Sequence, residues 1–339
     1  MHVLEAGFEN PDNPCVVLLH GFPELAYSWR KIMGPLAKAG YHVVAPDQRG
    51  YGRTTGWQAD YDTDPAPFRF PNLVRDVLGL TWALGRSSIA CVVGHDFGSP
   101  IAALCALIRP DIFESVVLMS APFPGAPPVP KPGKTPPDTE ALHEALARLQ
   151  PPRKHYQRYF ATREANEDMW HCPQGVHDFL RAYYHHKSAD WDGNQPVPLN
   201  SLAAEEFARL PRYYVMDLDR GMAETAAAAM PSKEVIERCD WLPEQELAVY
   251  SANYSRTGFQ GGLNWYRCLF DPAAAAEMQL FAGRTLDVPA MFIAGVQDWG
   301  IYQMPGALEQ MQSAACTRMS GCYFVDGAGH WVQQEQPRE

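Results

Sequence analysis

Short, almost uninterrupted apolar runs punctuate the first third of the chain: Cys15–Leu19 (CVVLL), 41–45 (YHVVA), 89–93 (IACVV) and 115–119 (SVVLM). Each has strand length and is rich in β-branched residues. Continuous rather than alternating apolarity is what a strand covered on both faces requires. Between them, 28–38, 73–84 and 100–108 read as amphipathic helices. The alternation predicts an α/β fold, a mostly parallel sheet with crossover helices on both faces. It stops near Pro122. Residues 122–137 (PFPGAPPVPKPGKTPP) lock most φ angles and remove amide donors, so neither helix nor interior strand is expected there. From 138 to 281 the chain leans helical, rich in Ala, Glu and aromatics, although 170–199 fits no element. Strand-like runs return at 289–294 (PAMFIA) and 322–325 (CYFV). The pattern predicts one α/β core, 1–121 and 285–339, interrupted by an insertion at 122–284, Pro-rich at its entry and then helical. Ligands in open α/β sheets bind at the carboxyl ends of the strands. An insertion that leaves after Met119 would therefore roof the site.

Composition narrows the classes. A formal charge of −11 leaves no basic patch for nucleic acid. No apolar run approaches the ~20 residues that span a bilayer, and 1–14 lacks the charged head and apolar stretch of a secretory leader. The eight cysteines are scattered with no C-x-x-C pair, as expected of a reducing, cytoplasmic setting without disulfides or zinc. His171, His177, His185 and His186 lack metal-ligand spacing, so no metal or other cofactor is expected.

Candidate chemistry starts at Gly94-His95-Asp96-Phe97-Gly98, between a strand and a helix. Small residues two before and two after a central nucleophile are what a strained strand-to-helix elbow needs. The central residue is Asp96, where such elbows usually carry serine. His20-Gly21-Phe22-Pro23 follows the first core strand, Asp298 follows 289–294, and His330 follows 322–325. A carboxylate with a reference pKa of ~3.9 is already ionised at neutral pH, so Asp96 needs no base before attacking a saturated carbon. The histidine is then free to activate water against the resulting ester, with Asp298 holding its tautomer.

These motifs resemble the α/β-hydrolase superfamily, whose nucleophile, acid, base order is matched by Asp96, Asp298 and His330. The resemblance implies an oxyanion hole from the amides of Phe22 and Phe97. The segments 257–267 (TGFQGGLNWYR) and 155–160 (HYQRYF), with the loops HGFPE and DQRGYG, narrow it to the soluble epoxide hydrolases. That likeness implies a lid presenting two ring-opening phenols. By motif these are Tyr266 and Tyr156, with Tyr159 a competitor for the second place. The substrate implied is a small apolar epoxide, opened by water to a vicinal diol through an aspartyl ester. Nine of the 15 tyrosines lie in the insertion, so most must be packing. A dehalogenase using the same nucleophile is an alternative, disfavoured because the Phe97 side chain cannot donate to a halide. A catalytically silent hydrolase fold that binds a small ligand is another. The segment 2–6 looks like the family's second strand, so a first edge strand is expected to be missing, as is the family's closing helix after His330. A homodimer is the base-rate expectation for assembly.

Overall fold

The computed structural model describes residues 1–129 and 139–339; residues 130–138, which include the end of the proline-rich stretch, lie outside the described residues. Among the described residues nine strands form: β1 (Val3–Ala6), β2 (Cys15–Leu19), β3 (His42–Pro46), β4 (Cys91–His95), β5 (Val116–Met119), β6 (Arg153–His155), β7 (Val215–Asp217), β8 (Ala290–Gly295) and β9 (Met319–Val325). Seven of them make one sheet in the order β1-β3-β2-β4-β5-β8-β9. The β1–β3 pairing is antiparallel and all others in that sheet are parallel.

The apolar runs become central strands because both faces are covered. Val16 and Leu18 pack with Trp29, Met33 and Val332 on one side. Cys15, Val17 and Leu19 pack with Val74, Val77 and Ile101 on the other. The helix Gly98–Ile108 buries nine of its 11 residues, which fits its all-round apolar sequence GSPIAALCALI. Truncating one of its fully buried aliphatics, such as Ile101, costs about 2–5 kcal/mol by the usual core-cavity penalty.

Element ends differ from the pattern where tertiary pairing overrides it. Residues 89–93 predict a strand that the structure moves to Cys91–His95, because Gly94 and His95 pair with Leu118 and Met119 of β5. Ile89 makes only an isolated bridge to Phe113. β9 starts three residues before the run 322–325; it is a half-exposed edge strand, so its first residues need not be apolar.

Between β5 and β8 the described residues are mainly helical, with one antiparallel ribbon, β6–β7, that the composition does not predict. Its strands, RKH and VMD, are too short and polar to show a period of two. The unassigned stretch 170–199 contains the helix Gly175–Lys187. Its buried face mixes Val176, Phe179, Leu180 and Tyr183 with Arg181 and Lys187, and those charges mask the apolar stripe. No helix among the described residues is long and apolar enough to cross a membrane.

Candidate active site

Asp96 sits at φ 52°, a left-handed conformation that side-chain-bearing residues seldom adopt. Its neighbours leave no space for larger residues. A Cβ on Gly94 would lie 2.1 Å from the Gly98 carbonyl oxygen, and one on Gly98 would lie 2.2 Å from that of Leu19. A Cβ on Gly21 would come within 2.4 Å of Asp96 itself. The glycines of the elbow and of the His20 loop are thus what lets Asp96 project between β4 and the Phe22 backbone.

The Phe22 N–H donates to Asp96 Oδ1 at 3.0 Å. Phe97 caps the helix Gly98–Ile108, where the first amides have no partner in the helical ladder. His330, on the loop after β9, holds Asp298 Oδ1 through Nδ1 at 3.0 Å. Asp298 Oδ1 also accepts the Gly300 N–H at 2.7 Å. His330 Nε2 lies 3.2 Å from Asp96 Oδ2, out of line for a hydrogen bond. Burial pushes the Asp96 carboxyl up, but His330, Lys187 and His95 outweigh it and hold Asp96 well below the usual carboxylate range. Asp298 is held low in the same way, chiefly by His330 against the cost of burial. The three residues predicted to act together are brought together.

Tyr156 and Tyr266 are 4% and 2% exposed and line one cavity of about 520 Å³ with Asp96. Phe70, Phe123, Leu269 and Met278 supply much of its apolar wall. The two phenol rings meet edge-on, 5.9 Å between centres. Burial above all keeps both phenols protonated far beyond their ordinary range, followed by the charge of Asp96 for Tyr156 and by Tyr156 and then Asp96 for Tyr266. Tyr156 is carried on the end of the β6–β7 ribbon, its N–H bonded to Tyr214 O at 2.8 Å, and its hydroxyl donates to Gln303 Oε1 at 3.0 Å. Tyr159 faces elsewhere: its hydroxyl donates to Asp168 at 2.7 Å. Tyr266 is fixed by the loop DQRGYG. Trp265 Nε1 donates to Arg49 O at 3.0 Å, and Gly50 and Gly261 approach so closely that a Cβ on either would strike the other's backbone.

Several residues of the site have no role in the sequence reading. Glu24 Oε2 accepts the Gly21 N–H at 2.9 Å and meets His95 Nδ1 at 2.6 Å. His95 Nε2 lies 2.7 Å from the His330 carbonyl. With an acceptor at each nitrogen, His95 is an imidazolium; although burial lowers its pKa, the Glu24 carboxylate more than offsets this and raises it to about 8. Both residues lie inside the predicted motifs, but nothing in a motif shows that they touch. Glu335 accepts the N–H groups of Gly329 and Trp331, at 2.9 Å each, and so clamps both neighbours of His330. Lys187, buried on the helix Gly175–Lys187, stands behind His330. No sequence signal points to it.

Residues 14–168 match a family model described as the alpha/beta hydrolase fold. Epoxide hydrolase A of Mycobacterium tuberculosis is 34% identical over 350 aligned positions, covering 100% of this chain and 91% of its own. Epoxide hydrolase B of the same organism is 32% identical with 92% of its length covered. Among solved structures, an epoxide hydrolase from an endophytic Streptomyces superposes with a TM-score of 0.77 at 30% identity, covering 99% of this chain and 88% of that one. Epoxide hydrolase I of potato (Solanum tuberosum) gives a TM-score of 0.73 at 29% identity, covering 99% and 91%. Sheet order, elbow and full-length likeness agree: the chain belongs to the epoxide hydrolase family of the α/β-hydrolase fold.

Proposed function

We propose that this enzyme hydrolyses an apolar epoxide to a vicinal diol through a covalent ester on Asp96. The observation that carries the reading is the cavity in which one ionised carboxylate faces two protonated phenols. An epoxide oxygen leaves as an alkoxide and needs a proton donor; a halide does not. The segment between β5 and β8 is read as the lid that supplies those donors.

In the first half-reaction an Asp96 oxygen attacks a ring carbon and the carbon–oxygen bond breaks. The alkoxide takes a proton from a phenol, Tyr266 or Tyr156. In the second, His330 Nε2 removes a proton from water and the hydroxide adds to the ester carbonyl carbon. The Phe22 N–H already meets Oδ1, so it is poised for the resulting oxyanion, with the Phe97 amide as second donor. Collapse expels the diol oxygen, which takes the imidazolium proton, and the proton left on Asp96 returns to the phenolate. Asp298 keeps Nδ1 protonated and the ring in line throughout.

A single turnover in ¹⁸O-water with enzyme in excess tests this. The first diol is expected to carry unlabelled oxygen from Asp96, leaving the label in the protein. Label appearing directly in that diol would exclude the ester.

A further inference from the structure

Lys187 ends its helix and is 2% exposed. Its Nζ lies 4.9 Å from the ring centre of Tyr214, 5.4 Å from that of Trp331, 5.5 Å from Tyr183 and 5.7 Å from Tyr213. A buried ammonium is costly unless its charge is answered. Ring faces and the helix C-terminus answer part of it. Burial is the largest influence and lowers the Lys187 pKa from its ordinary value, while the carboxylates of Asp96, Asp298 and Glu24 lie within electrostatic reach and pull the other way. Glu24 is already matched by His95. That leaves Asp96 and Asp298, two carboxylates around one base, with Lys187 as their further cation.

Its position relative to His330 is set by main chain. The His330 N–H donates to Lys187 O at 2.9 Å, and a Cβ on Gly329 would lie 2.7 Å from that same oxygen. We propose that Lys187 is a positioning residue whose caged ammonium sets how far toward acid both half-reactions run. A fixed positive charge stabilises Asp96 as the carboxylate and disfavours the arrival of any further positive charge beside it. Other groups around the ammonium do not substitute for it. On its own helix His186 is lowered to about 3 by burial and stays neutral. Tyr183, Tyr213 and Tyr214 are raised by burial and also stay neutral. Trp331 does not ionise. Glu335, pushed up to about 7 by burial, is the neighbour that titrates in the same range, so Glu335→Gln serves as the control.

The inference rests on the ester mechanism above. Ester formation and ester hydrolysis are followed separately, across acid pH, for wild-type, Lys187→Met and Lys187→Arg enzyme acting on a neutral aryl epoxide. A unit charge moves a titration by about one pH unit at ~10 Å through an effective dielectric of ~20. The acid limb of each step is therefore expected to rise by about that amount in Lys187→Met and to return in Lys187→Arg. The same displacement is expected in a Glu335→Gln background. Limbs that coincide with wild type would overturn the assignment, because a purely structural lysine would change rates without moving them. Should Lys187→Met fail to fold, wild-type protein labelled with ¹³C-lysine decides. The ring-shifted ε-methylene signal must report an ammonium at neutral pH, and a neutral amine there overturns the proposal. No diol from wild-type enzyme would sink the reading of the site itself, whereas diol formation with unmoved limbs sinks only the role of Lys187.

Discussion

Below the cavity, Asp96, Asp298 and His330 are held by backbone amides, ion pairs and glycine contacts a methyl group would break. Above it, Tyr156 and Tyr266 are held mostly by rings: Phe160 lies 5.4 Å from Tyr156 and 5.1 Å from Tyr266, and Phe97 lies 4.9 Å from Tyr266. The floor is a charge arrangement with one backbone solution. The roof is a packing arrangement with tolerance for repacking, since aromatic contacts are individually weak and direction-dependent. In the proposed reaction the floor supplies the nucleophile and the base, and the roof supplies the proton donors and the apolar walls.

Substitutions on the floor should therefore cost most. Asp96→Ala is expected to abolish turnover and any protein-bound adduct, read by intact-protein mass after mixing with substrate. His330→Gln should still form the ester but slow its hydrolysis by about 10²–10⁴-fold, the usual worth of a general base. A mass increase equal to the substrate would persist. Rapid return to the free mass would mean that another group activates water.

On the roof the losses should be smaller and unequal. Tyr266→Phe is expected to slow ester formation by about 10–100-fold, since one phenol remains to donate. Tyr156→Phe should do less, because its proton is already shared with Gln303. Tyr159→Phe should leave ester formation unchanged, as its hydroxyl is bonded to Asp168. A larger effect at Tyr159 than at Tyr156 would reverse the assignment of the second phenol.

The Glu24–His95 pair gives a pH test of the floor. His95 is raised from 6.5 to about 8, so its contribution to stability is complete below about pH 6.5 and is lost as pH rises through about 8. The melting temperature should fall across that window, and His95→Gln should flatten the fall. The smallest contrast concerns glycine. Gly98→Ala forces a Cβ against the Leu19 carbonyl and should cost about 1–3 kcal/mol. Gly79→Ala, in the helix Phe70–Ala83 with open space around it, should stabilise by about 0.5–1 kcal/mol. Denaturant melts separate the two signs.

Strand and elbow positions were legible because their signals are local. Five or so consecutive apolar residues, or glycines two either side of Asp96, report a buried strand or a tight turn without knowledge of the rest of the chain. The strand ending at His95, the ribbon β6–β7 and the helix Gly175–Lys187 were not, because each is stabilised by partners distant in sequence. The same holds within the site. Asp96, Asp298 and His330 sit in readable motifs, whereas Glu24 and Lys187 act through contacts with residues 71 and 143 positions away, His95 and His330.

The amino-acid sequence by itself determined the alternation of strands and helices and singled out the residue proposed to attack and the order of its proposed partners, since residue type and spacing dictate those. Only the tertiary structure decided which of Tyr156 and Tyr159 turns toward Asp96, that His95 is charged, and that a lysine stands caged behind His330. Those outcomes depend on burial and on the charges brought alongside, and neither exists until the chain has folded.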